Sequence, residues 1–281
     1  MKRREQRLTR EQLIKSTLWF FLVLFAVFSL FPIYWIVALA FKNRIAILAM
    51  PPAWVFIPVL DNFKELFRAQ PYYRYLLNSV IISSTTVALS LLIGIPAAYS
   101  LSRLRFRYRN ILAFWLLATR MAPPIALAMP FFLLYRDLKL LDTHIALITT
   151  YTSFNLSWVV WMMWSFFEEV PLELEEAASI DGCSRFMRFS KVALPIVGPG
   201  LAATAVLCWI LAWNDFMFAL ILTRRIAKTA PVAITIFIRF EEIRWGVIAA
   251  GGVTVMAPVI LFSVIVRKYL VRGLAMGALK G

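Results

Sequence analysis

Acidic residues, histidine and cysteine are all scarce in this chain: fifteen Asp and Glu, one His and two Cys among 281 residues. Cys183 and Cys208 have no metal-ligand spacing, and two thiols do not make a disulfide framework. The lone His144 stands beside Asp142 at the start of an apolar stretch, the place of an interface residue rather than a ligand. No G-x-S-x-G elbow accompanies it, so an intramembrane hydrolase lacks its nucleophile and base. No G-x-x-x-x-G-K-[ST] loop is present to cradle nucleotide phosphates.

Apolar residues are abundant. They make up 62% of the chain, against roughly 45–50% in soluble domains. Six stretches are long enough to cross a hydrocarbon core of about 30 Å as helices. We read them as Thr17–Phe41, Asn78–Leu101, Ile111–Leu134, His144–Phe167, Val197–Leu222 and Val247–Val266. The fold class is therefore all-α, a polytopic membrane protein. The first stretch contains Ala38-Leu39-Ala40, which has a cleavage-like pattern. Its apolar run is about twice a signal-peptide core, so it reads as a retained transmembrane helix.

The net charge of +15 raises the question of nucleic acid. The basic residues sit between and beyond the apolar stretches, without a long basic run interleaved with aromatics. Topogenesis and anionic lipid account for them, and no nucleic-acid partner is expected. Tail 1–16 carries Lys2, Arg3, Arg4, Arg7, Arg10 and Lys15, and tail 267–281 carries Arg267, Lys268, Arg272 and Lys280. Arg103, Arg105, Arg107 and Arg109 lie between spans two and three, in a turn that reads as topogenic and lipid-facing. These segments belong in the cytoplasm, with both termini, which implies a cell inner (cytoplasmic) membrane protein. The segment 42–77 is then an outer loop. It is too long for a simple connection, so short helical pieces are expected in it.

The segment 168–195 reads EEVPLELEEAASIDGCSRFMRFSKVALP, with six acidic and three basic residues. Pro171 suits the first turn of a helix running to about Ile180. Glu169, Glu173 and Glu176 follow i, i+4, i+7 spacing, with Ala177 and Ala178 beside them. Gly182 can end that helix in a left-handed conformation. A second short helix, about Ser184–Lys191, precedes the stop at Leu194-Pro195. A solvated acidic face fits this pattern, and so does a docking lever.

Glu176-Ala177-Ala178, Gly182, Val192 and Leu194-Pro195 resemble, in order and spacing, the EAA loop of ABC-importer permeases, with Val192 at the usual isoleucine. Asp61-Asn62-Phe63 with Leu66-Phe67, Thr119-Arg120-Met121, Ala212-Trp213-Asn214-Asp215-Phe216 and the tail Gly273–Gly281 are similar to carbohydrate-uptake permeases. Among these the chain is similar to the maltose-type second permease subunit. The resemblance implies a type I ABC importer permease fold. It also implies a loop, 168–195, that seats in a cytoplasmic ATPase. Glu173, Glu176, Ala177, Ala178, Asp181, Gly182, Leu194 and Pro195 would be its ATPase-coupling residues. The implied partners are a second permease subunit in a heterodimer, an ATPase dimer and an extracytoplasmic binding protein meeting Lys42–Leu77 and Thr223–Glu242. ATP and magnesium would be used by the ATPase, with no cofactor on this chain.

Four polar residues inside the spans are candidates for a translocation pathway or gate: Arg120, Asn155, Asn214 and Asp215. A buried arginine must face protein or water, and Pro123-Pro124 break the helix beside it. Arg120 either pairs with Asp215 or lines a path. Asn214 and Asp215, flanked by Trp213 and Phe216, suit sugar hydroxyls and ring faces, or serve interhelical contacts. Asn155 with Trp158 is a similar pair. An ion-coupled secondary transporter is the alternative, but it calls for several carboxylates or a histidine relay inside the spans. Asp215 is the one clear intramembrane acid.

Overall fold

The computed structural model describes the backbone of residues 2–69, 71–238 and 243–278, and side chains within 15–265 except 69–70, 117 and 239–242. The side chains of residues 1–14, of the tail 267–281 and of the end of the Thr223–Glu242 segment therefore lie outside the described residues. Among the described residues the chain is helical, with one isolated antiparallel bridge, Ile238 to Ile243.

The helices in order are α1 (Lys2–Phe41), α2 (Arg44–Leu48), α3 (Asp61–Ala69), α4 (Tyr72–Arg103), α5 (Arg109–Met121), α6 (Pro124–Asp137), α7 (His144–Glu169) and α8 (Leu172–Ile180). They continue with α9 (Arg185–Met187), a π-helical turn (Arg188–Ala193), α10 (Leu194–Ile196), α11 (Gly198–Asn214), α12 (Met217–Leu222), α13 (Ala230–Ala233), a 3-10 turn (Ile234–Phe237) and α14 (Trp245–Ala278). Three stretches are long and apolar enough to cross a membrane alone: Lys15–Phe41, Tyr72–Arg103 and Trp245–Ile265. Two bent pairs raise the count to five. Arg109–Met121 and Pro124–Asp137 meet at 93°, and Arg185–Ile196 and Gly198–Asn214 at 77°. The helix α7, read above as the fourth span, is rich in hydroxyls and tryptophan and is not among these stretches.

Several sequence boundaries shift. Residues 2–16 continue the first helix, because Arg, Glu, Gln, Leu and Lys are good helix formers. Loop 42–77 ends earlier than read, since Pro71 N-caps α4 and Tyr72–Leu77 form its first turns. Residues 267–278 extend α14. Leu194-Pro195 does not stop the helix: Leu194 N–H reaches back five residues to the Phe189 carbonyl. Pro195 then falls in the first turn of α10, where its missing N–H costs nothing.

The chain forms two compact units. In the first, Met1–Gln70 with Phe237–Thr254, the Asn62 amide donates to the Ala40 and Lys42 carbonyls at 2.9 and 2.8 Å. Phe63 packs on Phe41 with ring centroids 5.1 Å apart. The Lys42 ammonium sits over Trp35 and Phe56 at 4.8 and 5.1 Å, cation–π contacts that support its burial. Glu65 pairs with Arg244. The expected helical pieces of the outer loop are α2 and α3.

The second unit is Pro71–Ile236 with Val255–Gly281. Its main core lies where α4, α7 and α11 pack: Val87, Ala98, Val159, Met163, Phe167, Cys208 and Trp213 are buried there. A second core, around Ile82, Tyr135, Leu147, Tyr151, Phe218 and Leu222, joins α4, α6, α7 and α12. Asp142 stitches α12 to the start of α7. Its carboxylate accepts from the successive backbone N–H groups of Arg224, Arg225, Ile226 and Ala227 at 2.9–3.1 Å. Asn78 adds to this by donating to the Ile226 and Lys228 carbonyls and meeting His144 Nε2 at 2.8 Å. His144 is thus a structural contact of α4.

Candidate functional site

Two constellations carry the predicted site residues. The first is the segment after α7. Its leading glutamates do not share a face: Glu169 ends α7, the chain turns at Val170 and Pro171, and Glu173 and Glu176 lie on α8. Glu173, Glu176, Ala177, Asp181, Gly182 and Pro195 are exposed, and Ala178 and Leu194 are half-buried. Leu172, Leu174, Ile180 and Phe186 are exposed with them, giving an acidic and apolar surface. Gly182 has φ +86°. It allows Cys183 N–H to reach the Ala178 carbonyl and Gly182 N–H the Ser179 carbonyl, the paired bonds of a Schellman end.

The residue that anchors this surface is Glu175, which sequence reasoning passed over. It is 5% exposed. Its carboxylate accepts from Tyr99 Oη at 2.5 Å and Arg103 Nε at 2.7 Å. Arg103 Nη2 also donates to the Val170 carbonyl at 2.9 Å. Arg109 reaches Glu168 at 2.9 Å and covers the Trp164 ring at 5.0 Å. Half of the Arg103–Arg109 turn therefore braces the 168–175 segment rather than facing lipid. A stretch with three glutamates in four residues, such as LELEEAAS, hides which carboxylate faces inward. The clue was the tyrosine and arginine four residues apart on α4.

The second constellation is a cavity of about 180 Å3 in the second unit, lined by Arg120, Tyr151, Phe154, Asn155, Asp215 and Phe218 among others. Two helix breaks open onto it, Ala122-Pro123 after α5 and Asp215-Phe216 after α11. Arg120, Asn155 and Asp215 thus line one cavity. The Arg120–Asp215 ion pair does not form among the described residues. Asp215 Oδ1 is engaged by Tyr151 Oη at 2.8 Å and by the N–H groups of Phe218 and Ala219, which start α12. A carboxylate capping a helix N-terminus is favourably placed there and has no need of the arginine. Arg120 instead lies over the Trp158 ring at 5.0 Å, and its Nη1 is buried without a hydrogen-bond partner.

Asn155 Nδ2 donates to the Cys208 carbonyl at 3.2 Å. Asn214 turns away from the cavity, is exposed, and bonds the Ile210 carbonyl of its own helix. Trp213 offers no face to a ligand. It is 1% exposed, stacked on Trp209 at 4.7 Å, with Nε1 on the Val255 carbonyl.

The chain as a whole has known counterparts. A family model described as "Binding-protein-dependent transport system inner membrane component" matches residues 90–276. The chain belongs to that family. It is 40% identical over 267 residues to the probable ABC transporter permease protein y4oR of Sinorhizobium fredii, covering 95% of this chain and 96% of that one. The trehalose transport system permease protein SugB of Mycobacterium tuberculosis is 37% identical over 260 residues, covering 90% of this chain and 93% of SugB. Among solved structures, a bacterial ABC transporter involved in the import of the acidic polysaccharide alginate superimposes with a TM-score of 0.73 at 27% identity, covering 88% of this chain and 93% of that one. The permease is accordingly an integral membrane protein with the fold of ABC-importer transmembrane subunits.

Proposed function

We propose that this permease is one membrane-spanning subunit of an ATP-driven, binding-protein-dependent importer of a sugar, sugar derivative or polyol. The carbohydrate class is supported by relatives named for trehalose transport and by the alginate importer. Six spans follow if α1, α4, the α5–α6 pair, α7, the α11–α12 pair and α14 each cross once. The basic tails and the Arg103–Arg109 turn set both termini on the cytoplasmic side of the inner membrane.

The observation that carries the mechanism is the contrast between Glu175 and Glu176. Glu175 is buried and bonded to α4, while its neighbour Glu176 and the exposed Leu174 and Phe186 are presented outward. A partner with a basic residue and an apolar cleft fits that surface. This chain has no phosphate-binding loop, so ATP and magnesium are handled by the partner ATPase. Closure of the ATPase dimer pushes α8. The Glu175–Arg103 contact then passes the displacement to α4, while Glu168–Arg109 ties the end of α7 to the start of α5, and rocking of these helices alternates access. A heterodimer with a related permease and delivery from an extracytoplasmic binding protein complete the machine.

The test is purification of the tagged chain from its host in mild detergent, with mass spectrometry of what accompanies it. An ATPase and a second permease should be recovered, and lost when Glu176 and Gly182 are substituted. A stable homo-oligomer with no nucleotide-binding partner would sink this reading and favour ion-coupled transport.

A further inference from the structure

Arg105 and Arg107 are charges that the coupling mechanism leaves unused. The turn from α4 to α5 carries four arginines, and two of them are spent within the protein, Arg103 on Glu175 and Arg109 on Glu168. Arg105 makes no hydrogen bond or ion pair among the described residues, and Arg107 meets only the ring of Tyr108, at 5.8 Å. Both are exposed. They share one open, shallow recess with Phe106, Arg109 and the exposed Asn110, and no acidic side chain lines it. The recess thus gathers two uncompensated cations and an amide donor.

Charge asks for an anion, and the planar fork of a guanidinium matches phosphate oxygens. The surroundings say which kind of anion. Leu104, Phe106 and Tyr108 alternate with the arginines and are exposed. The helix α5 follows at once, and Ile111, Leu112, Phe114 and Trp115 on its first two turns are exposed as well. A soluble anion would use the arginines and leave this apolar surface bare. A phospholipid uses both, with its phosphodiester on the guanidiniums and its acyl chains along α5. Arginine and aromatic side chains at the end of an apolar helix are the arrangement of a membrane interface. The bent pair α5–α6 is itself apolar enough to count as one crossing.

We infer that the recess between α4 and α5 binds the headgroup of an anionic phospholipid. Arg105 and Arg107 hold its phosphate, and its chains lie against Ile111, Leu112, Phe114 and Trp115. The inference rests on the importer reading, which sets this turn at the cytoplasmic surface of the membrane, and adds a lipid partner to it. Arg109 lines the same recess and bonds Glu168, so the bound lipid stands beside the coupling segment.

The experiment uses the whole purified complex in phosphatidylcholine vesicles. Ile111→Cys, in a Cys183→Ser background, carries a bimane fluorophore, and the signal of the same complex without Ile111→Cys is subtracted. The probes are phosphatidylglycerol and phosphatidylcholine with brominated acyl chains, which quench the fluorophore on contact. An arginine beside anionic lipid is worth about fivefold in affinity. Phosphatidylglycerol should therefore quench at a mole fraction about fivefold lower than phosphatidylcholine, or lower still. Arg105→Gln and Arg107→Gln together should abolish that preference, and the paired lysine variants, which keep the charge and its pull on topology, should retain most of it. Arg136→Gln, which removes an arginine already paired with Asp137, should change nothing. Equal quenching by the two lipids overturns the anionic site. No quenching by either means that a protein subunit covers position 111, and overturns the lipid as occupant. A preference that survives the double glutamine variant overturns the role of the arginines. Relief of the quenching by inorganic phosphate at matched ionic strength would assign the recess to a soluble anion instead. Copurification of the ATPase is scored in the same preparation, so failure of the site and failure of the importer reading are told apart.

Discussion

Glu175 and Arg103 face each other at 2.7 Å, with side chains 6% and 10% exposed, 72 residues apart in sequence. A pair this buried fixes geometry more than it adds stability, because both charges were taken out of water. Removing one partner is costly. Glu175→Ala strands the guanidinium and should lower stability by about 3–5 kcal/mol, read as a thermal shift of the detergent-solubilised complex. Glu176→Ala, one residue on and exposed, should stay within about 0.5 kcal/mol. Replacing both Glu175 and Arg103 by methionine should recover most of the stability. ATP hydrolysis in that double variant should no longer drive uptake, since the directional link to α4 is gone.

This pair also marks the limit of what the sequence discloses. Apolar helices of crossing length, the break at Pro123-Pro124 and the turn at Gly182 are written in residue types with strong local preferences; the break and the turn are found, and of the six spans read, three qualify alone and up to five with the bent pairs. The break at Asp215 has no proline or glycine to announce it. It arises because a carboxylate can cap the next helix, which depends on Tyr151 and the α12 N–H groups being at hand. Likewise, which of Glu173, Glu175 and Glu176 turns inward is set by where Tyr99 and Arg103 stand on α4. Trp213 looks like a sugar platform until α14 supplies the Val255 carbonyl that buries it. In each case the missing information is a contact between distant segments.

Gly182 tests backbone strain alone. Its φ is +86°, and an added Cβ would meet nothing within 4 Å. Within this chain, the effect of Gly182→Ala on the end of α8 is therefore the cost of holding an L-residue left-handed, about 1–2 kcal/mol. Gly182→Asn should lose less, because asparagine tolerates that conformation. Hydrogen exchange at the amides of Gly182 and Cys183, which close the end of α8, should accelerate in the order Gly, Asn, Ala.

Asp142 gives a pH dependence with a definite sign. Partial burial alone would raise its pKa, but four backbone N–H donors from Arg224 to Ala227 outweigh this and hold it below the usual carboxylate value. A folded pKa below the unfolded one, about 3.9, means that the contribution is complete above that unfolded value. It is lost as pH falls through the lowered folded value. Hydrogen exchange at residues 224–227 should stay slow down to about pH 4 and rise on further acidification. Asp142→Asn should exchange faster at neutral pH and show little of that acid step. An acid step of equal size in the variant would assign it to another group.

Gly246 tests close packing in the first unit. A Cβ there would fall 2.4 Å from Asn62 Oδ1 and 2.6 Å from its Cγ. A free side-chain end could swing aside, but the Asn62 amide is tied at 2.9 and 2.8 Å to the Ala40 and Lys42 carbonyls. Gly246→Ala must therefore push Asn62 off two carbonyls or shift the start of α14. Overpacking of this kind costs about 1–3 kcal/mol. The segment 43–60, held at its base by those bonds and by Val59 N–H on the Phe41 carbonyl at 2.8 Å, should become more sensitive to protease. Asn62→Ala should produce the same sensitivity by itself. The Asn62→Ala, Gly246→Ala double variant should be no worse than Asn62→Ala, because the methyl then has room. A double variant that sums the two single effects would show that Gly246 acts through something other than Asn62.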